Sequence, residues 1–98
     1  MTNNEEVRLI VHQVAYPDQI DAVKALMTSL IEPTRRNPAC LDFQVLQNQK
    51  EPEKFTLLEH WQNAAAIQAN GASPAMAPFR AQKDKLFKSL DAEFVTAL

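Results

Sequence analysis

The sequence predicts a single α+β domain of the ferredoxin-like class, ordered β-α-β-β-α-β around an antiparallel sheet. Three observations lead there. The chain has 98 residues, of which 46% are hydrophobic and 22% charged, ordinary usage for one globular domain. Three runs rich in β-branched and aromatic residues read as strands. Two stretches with apolar residues at spacings of three and four separate or follow them.

Residues 1–6 are polar and acidic and read as a frayed tail, so the domain is expected over 7–98. Val7 to Ala15 reads as the first strand. Val7, Leu9, Val11 and Gln13 fall on one face, and Arg8, Ile10, His12 and Val14 on the other. Both faces are largely apolar, which predicts a central strand covered on both sides. Tyr16-Pro17-Asp18 breaks the strand and opens a helix. Its stripe is Ile20, Val23, Leu26 or Met27, then Leu30 or Ile31, with Asp18 or Asp21 at the positive end of its dipole. Pro33 should kink or end it.

Cys40 to Asn48 alternates Leu41, Phe43 and Val45 against Asp42 and Gln44, which predicts a second strand. The charged turn 49–53 leads into a third, Lys54 to Trp61, so these two form a hairpin. Asn63 is placed to cap a short helix over 64–69, and Gly71, the single glycine, to end it. Ser73-Pro74 marks the start of another helix, with Met76, Phe79, Leu86 or Phe87, and Leu90 on its buried side. Asp91 to Leu98 is expected as the last strand.

In this topology both helices cover the same sheet face. A domain of this size buries only roughly 60–70% of its unfolded surface. The apolar residues of the other face call for separate cover, and a second copy is the simplest source. A homodimeric barrel of two sheets is therefore expected.

Composition excludes several function classes. The net charge is −2, and Arg35-Arg36 is the one local basic pair, which argues against nucleic-acid binding. A lone cysteine, Cys40, allows no internal disulfide. The N-terminus lacks the pattern of a signal peptide, and no apolar run approaches the ~20 residues of a membrane span. A cytoplasmic protein with no membrane association is expected. There is no glycine-rich loop and no cluster of ligating side chains, so no metal, nucleotide or flavin cofactor is anticipated.

Three segments resemble the antibiotic biosynthesis monooxygenase family. Pro38-Ala39-Cys40-Leu41-Asp42-Phe43-Gln44-Val45-Leu46 is similar to the family's entry to its second strand, with Ala39 where glycine is usual. Phe55-Thr56-Leu57-Leu58-Glu59-His60-Trp61 is similar to the strand that ends in Glu-x-Trp. The stretch 61–79 is similar to the family's turn around Ser73-Pro74. Together with the element order, the resemblance spans residues 7 to 97. It implies a dimeric α+β barrel with a pocket between sheet and helices in each subunit. Some members oxidise phenols or quinol-like compounds with dioxygen and use no metal or flavin. Others degrade haem or handle small carbonyl compounds.

Several family positions differ here. Asn70 and Ala75 stand where many members have histidines, Leu57 where the phenol oxidisers have asparagine, and Ile67 where they have tyrosine. No histidine lies in 73–90 to ligate haem, which disfavours haem degradation.

Six residues are candidates for the site. Trp61 can stack on a flat ring or fill the core at the strand end. Glu59, two residues back on the same face, becomes a general base if that face is dry, or a carboxylate held by hydrogen bonds at the rim. His12 is a potential proton shuttle on a central strand, and otherwise a structural histidine like His60. Asn70 can hold a substrate oxygen or serve the turn before Gly71. Arg80 can hold an anion at the pocket mouth or remain a surface charge. Phe79, like Met76, either lines the pocket or belongs to the core. Cys40 reads as a small buried hydrophobe. The expectation is a cofactor-independent monooxygenase acting on a small aromatic or quinol-like compound. Trp61 would position the ring, Glu59 or His12 would take the proton, and Asn70 would hold an oxygen. The alternative is a non-oxygenase of the same fold, either a small-molecule binding module or an isomerase-like enzyme.

Overall fold

The computed structural model describes residues 5–98. Of the expected N-terminal tail, residues 1–4 lie outside the described residues. Glu6 accepts a hydrogen bond from His60 Nε2 at 2.7 Å.

The β-branched run forms β1, Val7–Ala15, and Lys54–Trp61 forms β3 with the expected bounds. Cys40–Gln47 forms β2 and Phe87–Val95 forms β4. The sheet is antiparallel in the order β2-β3-β1-β4, so β1 is central as its two apolar faces required. The domain measures 41 × 32 × 20 Å, the flat shape of one helical layer on one sheet.

Helix α1, Ile20–Arg35, lays Val23, Leu26, Met27 and Leu30 against the sheet. Pro33 does not stop it. It sits in the last turn, where one backbone donor is lost, and Arg36 N–H still closes onto Glu32 O at 3.1 Å. Asn63 caps α2, Ala64–Gly71, its Oδ1 accepting from Ala66 N–H at 2.9 Å. This helix runs to Gly71 itself, and among the described residues no glycine has positive φ. A single 3-10 turn, Pro74–Met76, then leads into α3, Ala77–Leu86. Ser73 does not cap the 3-10 turn with its side chain. Its hydroxyl donates backwards to Asn70 O at 2.7 Å.

The end of the chain departs most from expectation. The last strand begins at Phe87, not Asp91, so Phe87 and Leu90 belong to β4 and not to the preceding helix. Pairing with β1 decides this: Ala15 lies opposite Phe87 and Gln13 opposite Leu90. A second departure is Leu41. The register between β2 and β3 slips at Cys40/Asp42, leaving Leu41 as an extra, exposed residue off the buried face.

The core lies between the helices and one sheet face. It contains Val23, Met27 and Leu30 from α1, Phe43 from β2, Phe55 and Leu57 from β3, and Leu86-Phe87 at the α3–β4 junction. Among the described residues no helix lies over the opposite face. There Ile10, Val14 and Leu58 are half-buried among Arg8, His12 and Thr56.

Candidate active site

Strand alternation decides what faces the helical layer. Phe55, Leu57, Glu59 and Trp61 fall on that side of β3, with Leu9 of β1 and Phe43 of β2 flanking Glu59 in the register. Glu59 is thus a carboxyl set between two buried apolar side chains. Trp61, 1% exposed, donates its indole Nε1–H to Glu59 Oε1 at 2.8 Å. Burial pushes the Glu59 carboxyl above its ordinary value of 4.5, and the weaker opposing effect of the Trp61 hydrogen bond does not reverse this.

These residues border a cavity of about 180 Å³ between the sheet and the α2–α3 region. Val11 and Met27 form part of its apolar wall, with Ile67, Met76 and Phe79 from the helical side. Phe79 is held by a tilted aromatic contact with Phe87, ring centroids 5.6 Å apart. Exposed Gly71 and Leu90 lie at its rim. The polar groups on its lining are Glu59, Asn70 and Gln13.

Four of the six sequence candidates therefore come together: Glu59, Trp61, Asn70 and Phe79. His12 does not join them. An even-numbered residue of β1 points to the other sheet face, where His12 Nε2 lies 3.4 Å from Glu93 Oε1, both side chains exposed. His60 is on that outer face too. Arg80 is also outside the cavity. Its Nη1 donates to Gly71 O at 2.7 Å and Ser73 O at 2.8 Å, pinning the α2-to-3-10 junction that forms the rim. Cys40 is half-buried, and desolvation, with the nearby Glu59 and Asp42 charges, pushes its thiol up, so it is a poor nucleophile. Gln13 is the residue that sequence reasoning placed on the correct face without marking it as a site residue. The signal was a polar side chain among Val7, Leu9 and Val11.

The family model for antibiotic biosynthesis monooxygenases matches residues 7–82. The chain belongs to this family. Its fold is shared with a Pseudomonas aeruginosa protein of known crystal structure, at a TM-score of 0.90 and 19% identity, covering 100% of this chain and 99% of that one. A Mycobacterium tuberculosis protein superposes at a TM-score of 0.86 with 23% identity and 96% coverage of both chains. A crystal structure of an antibiotic biosynthesis monooxygenase gives 0.85 with 25% identity, over 94% of this chain and 98% of that one. In sequence, the chain is 31% identical over 58 residues to an uncharacterised protein of Synechocystis. That alignment covers 59% of this chain and 40% of the relative, so the chain spans less than half of that protein's length. Among the described residues no group of histidine, cysteine and carboxylate side chains is placed to hold a metal ion. No helix among them is long and apolar enough to cross a membrane.

Proposed function

We propose that this family member is a cofactor-independent monooxygenase of small aromatic phenols, with the cavity beside Glu59 as its active site. The observation behind this reading is the Glu59–Trp61 pair: a carboxyl with a raised pKa, hydrogen-bonded to an indole, on the wall of an apolar cavity. A base tuned upward by burial is better matched to a phenolic proton than an ordinary carboxylate. Its substrate would lie along Trp61, with Asn70 near the rim to hold a ring oxygen.

The cavity limits the size of that substrate. A cavity of ~150 Å³ lined by apolar side chains admits benzene, and drug-sized pockets begin near ~300 Å³. At about 180 Å³ this one suits one or two fused rings. A naphthol serves as the example. Loss of the phenolic proton to Glu59 makes an electron-rich anion that reduces dioxygen directly. One oxygen atom becomes the new carbonyl at a hydrogen-bearing ring carbon para to the hydroxyl, or ortho to it where the para carbon is a ring fusion. The other leaves as water with the phenolic hydrogen and the hydrogen of that carbon. The substrate itself supplies all four electrons that dioxygen takes up, and the protein supplies orientation and proton removal.

We also infer that the chain pairs as a homodimer through the helix-free sheet face. Half-buried Ile10, Val14 and Leu58, with exposed Leu46 and Val95, support that reading.

Oxygen uptake by purified protein tests the reaction, using 1-naphthol and naphthalenediols with Glu59→Gln and Trp61→Phe alongside. Uptake that depends on the protein and falls in either variant is expected. Binding of the same compounds with no uptake would replace the oxygenase by a binding module or isomerase.

A further inference from the structure

Gln13 is 1% exposed, on the helix-facing side of β1, yet its amide is almost unused. Among the described residues the Nε2 group meets only the Met27 thioether, at 3.8 Å, and sulfur is a weak acceptor. Among the described residues the buried Oε1 atom has no hydrogen-bond partner. Turning the amide over would place its oxygen against the Met27 sulfur and leave donors unpaired instead. Its cross-strand neighbours are Phe55 and Leu90, and neither offers a side-chain partner. Buried polar side-chain atoms ordinarily find partners, because an unmade hydrogen bond in a dry site is unfavourable. Leucine or methionine would fill this place and leave nothing unsatisfied. Gln13 also borders the cavity, set apart from Glu59 along the sheet by the strand register. Leu9, not Gln13, lies opposite Glu59 in the register, and Gln13 is four residues further along β1. The two side chains thus spring from backbone sites roughly 14 Å apart.

We propose that Gln13 is a second, distal hydrogen-bonding anchor of the cavity, and that the ligand is an elongated two-ring aromatic with a hydroxyl at each end. This deepens the proposed function and rests on its placement of the ligand beside Glu59. One hydroxyl faces Glu59. The other donates to Gln13 Oε1, which reaches it by rotation about the soft terminal torsion of the glutamine. Subtracting two hydrogen bonds of ~2.8 Å from the strand spacing leaves roughly 8 Å between the ligand oxygens. A fused pair of rings with hydroxyls at its far corners spans that distance, and a single ring falls short. Gln13 here is a positioning and specificity residue. It takes no part in proton removal.

The test is calorimetric titration without oxygen, so that binding is read apart from turnover. The probes are 2,6-dihydroxynaphthalene and 2-naphthol, identical but for the distal hydroxyl. Wild-type protein is expected to prefer the diol about tenfold, the value of one well-made hydrogen bond. In Gln13→Leu and Gln13→Met the preference should fall to within about twofold, while the melting temperature stays level or rises because the orphaned amide is gone. A purely structural glutamine would instead lower the melting temperature and leave the preference intact. If both apolar variants fail to fold, Gln13→Asn, which keeps the amide but withdraws it by one methylene, should lose the preference alone. A wild type that binds both probes equally, or a preference that survives removal of the side chain, overturns the inference. Because no oxygen is consumed, a Gln13-dependent preference stands even where oxygen uptake fails. Uptake without that preference sinks this inference and leaves the oxygenase reading in place.

Discussion

Trp61 Nε1 donates to Glu59 Oε1 at 2.8 Å from two residues along the same strand face. The pair joins an almost fully buried ring to a carboxyl whose burial opposes its ionisation. Desolvation outweighs the hydrogen bond, and this sets the direction in which Glu59 couples stability to pH.

Glu59 should make stability fall as pH rises. Below its ordinary 4.5 the carboxyl is neutral in both folded and unfolded chains, and no penalty arises. Above 4.5 the unfolded chain releases the proton while the folded one keeps it, so unfolding gains. Past the raised folded value both states are ionised and the loss is complete. Urea denaturation of wild type and Glu59→Gln across this window is expected to show a smaller decline in the variant. At neutral pH the variant should be at least as stable as wild type. Parallel profiles would mean that Glu59 is not desolvated.

Trp61→Phe keeps an aromatic ring but removes the indole donor and part of the buried volume. The expected loss is about 1–3 kcal/mol, below the range for complete truncation of a buried tryptophan. The Glu59 hydrogen bond is the one cause that holds the carboxyl down. Its removal should therefore drive the Glu59 pKa higher still. Carboxyl-carbon NMR titration of Glu59 reads this, and a shift downward would show that the indole acts on Glu59 by shielding it from water instead.

Much of this architecture was legible in the sequence because periodicity and burial agreed. The alternation in Val7–Ala15 and Lys54–Trp61 fits one sheet register and no helix, and the Val23-Met27-Leu30 stripe fits only a helix. The end of the last helix was not legible. Phe79, Leu86 and Leu90 satisfy helical spacing, while Phe87 and Leu90 also suit a strand. Only the ladder with Ala15 and Gln13, more than seventy residues away in sequence, resolves them. Leu41 misled for a related reason, since a bulge is a property of two paired strands and not of one. At the site, Glu59 and Trp61 could be placed together by their two-residue spacing. The inclusion of Gln13 and the exclusion of His12 follow once one face of β1 is known to meet the helices.

Gly71 makes a counter-intuitive case. The one glycine of the chain would ordinarily be protected by a left-handed conformation at the helix end, but here it lies within α2 and has no positive φ. A Cβ built at this position meets nothing within 4 Å. Gly71→Ala should therefore stabilise the domain by about 0.4–1 kcal/mol, by reducing the freedom of the unfolded chain. Its carbonyl can still accept from Arg80. Thermal melting checks this, and a lower midpoint would show that the rim needs backbone freedom at this position.

The helix-free sheet face supplies the last prediction. Leu58 is central on it, half-buried on β3 and paired in register with Ile10 of β1 and Gln44 of β2. Its side chain points away from the cavity-lining side of the strand, so replacing it leaves Glu59 and Trp61 in place. In a homodimer built on this face, Leu58→Glu would set two carboxylates in an apolar contact related by the twofold axis, where like charges and desolvation both oppose association. Sedimentation equilibrium should give wild-type protein at twice the 11.0 kDa chain mass and the variant at the chain mass, with the helical signal retained. If the variant stays dimeric, the sheets do not meet through this face. An exposed edge strand such as β4, which presents unpaired backbone groups along Phe87–Val95, would then be the surface to test.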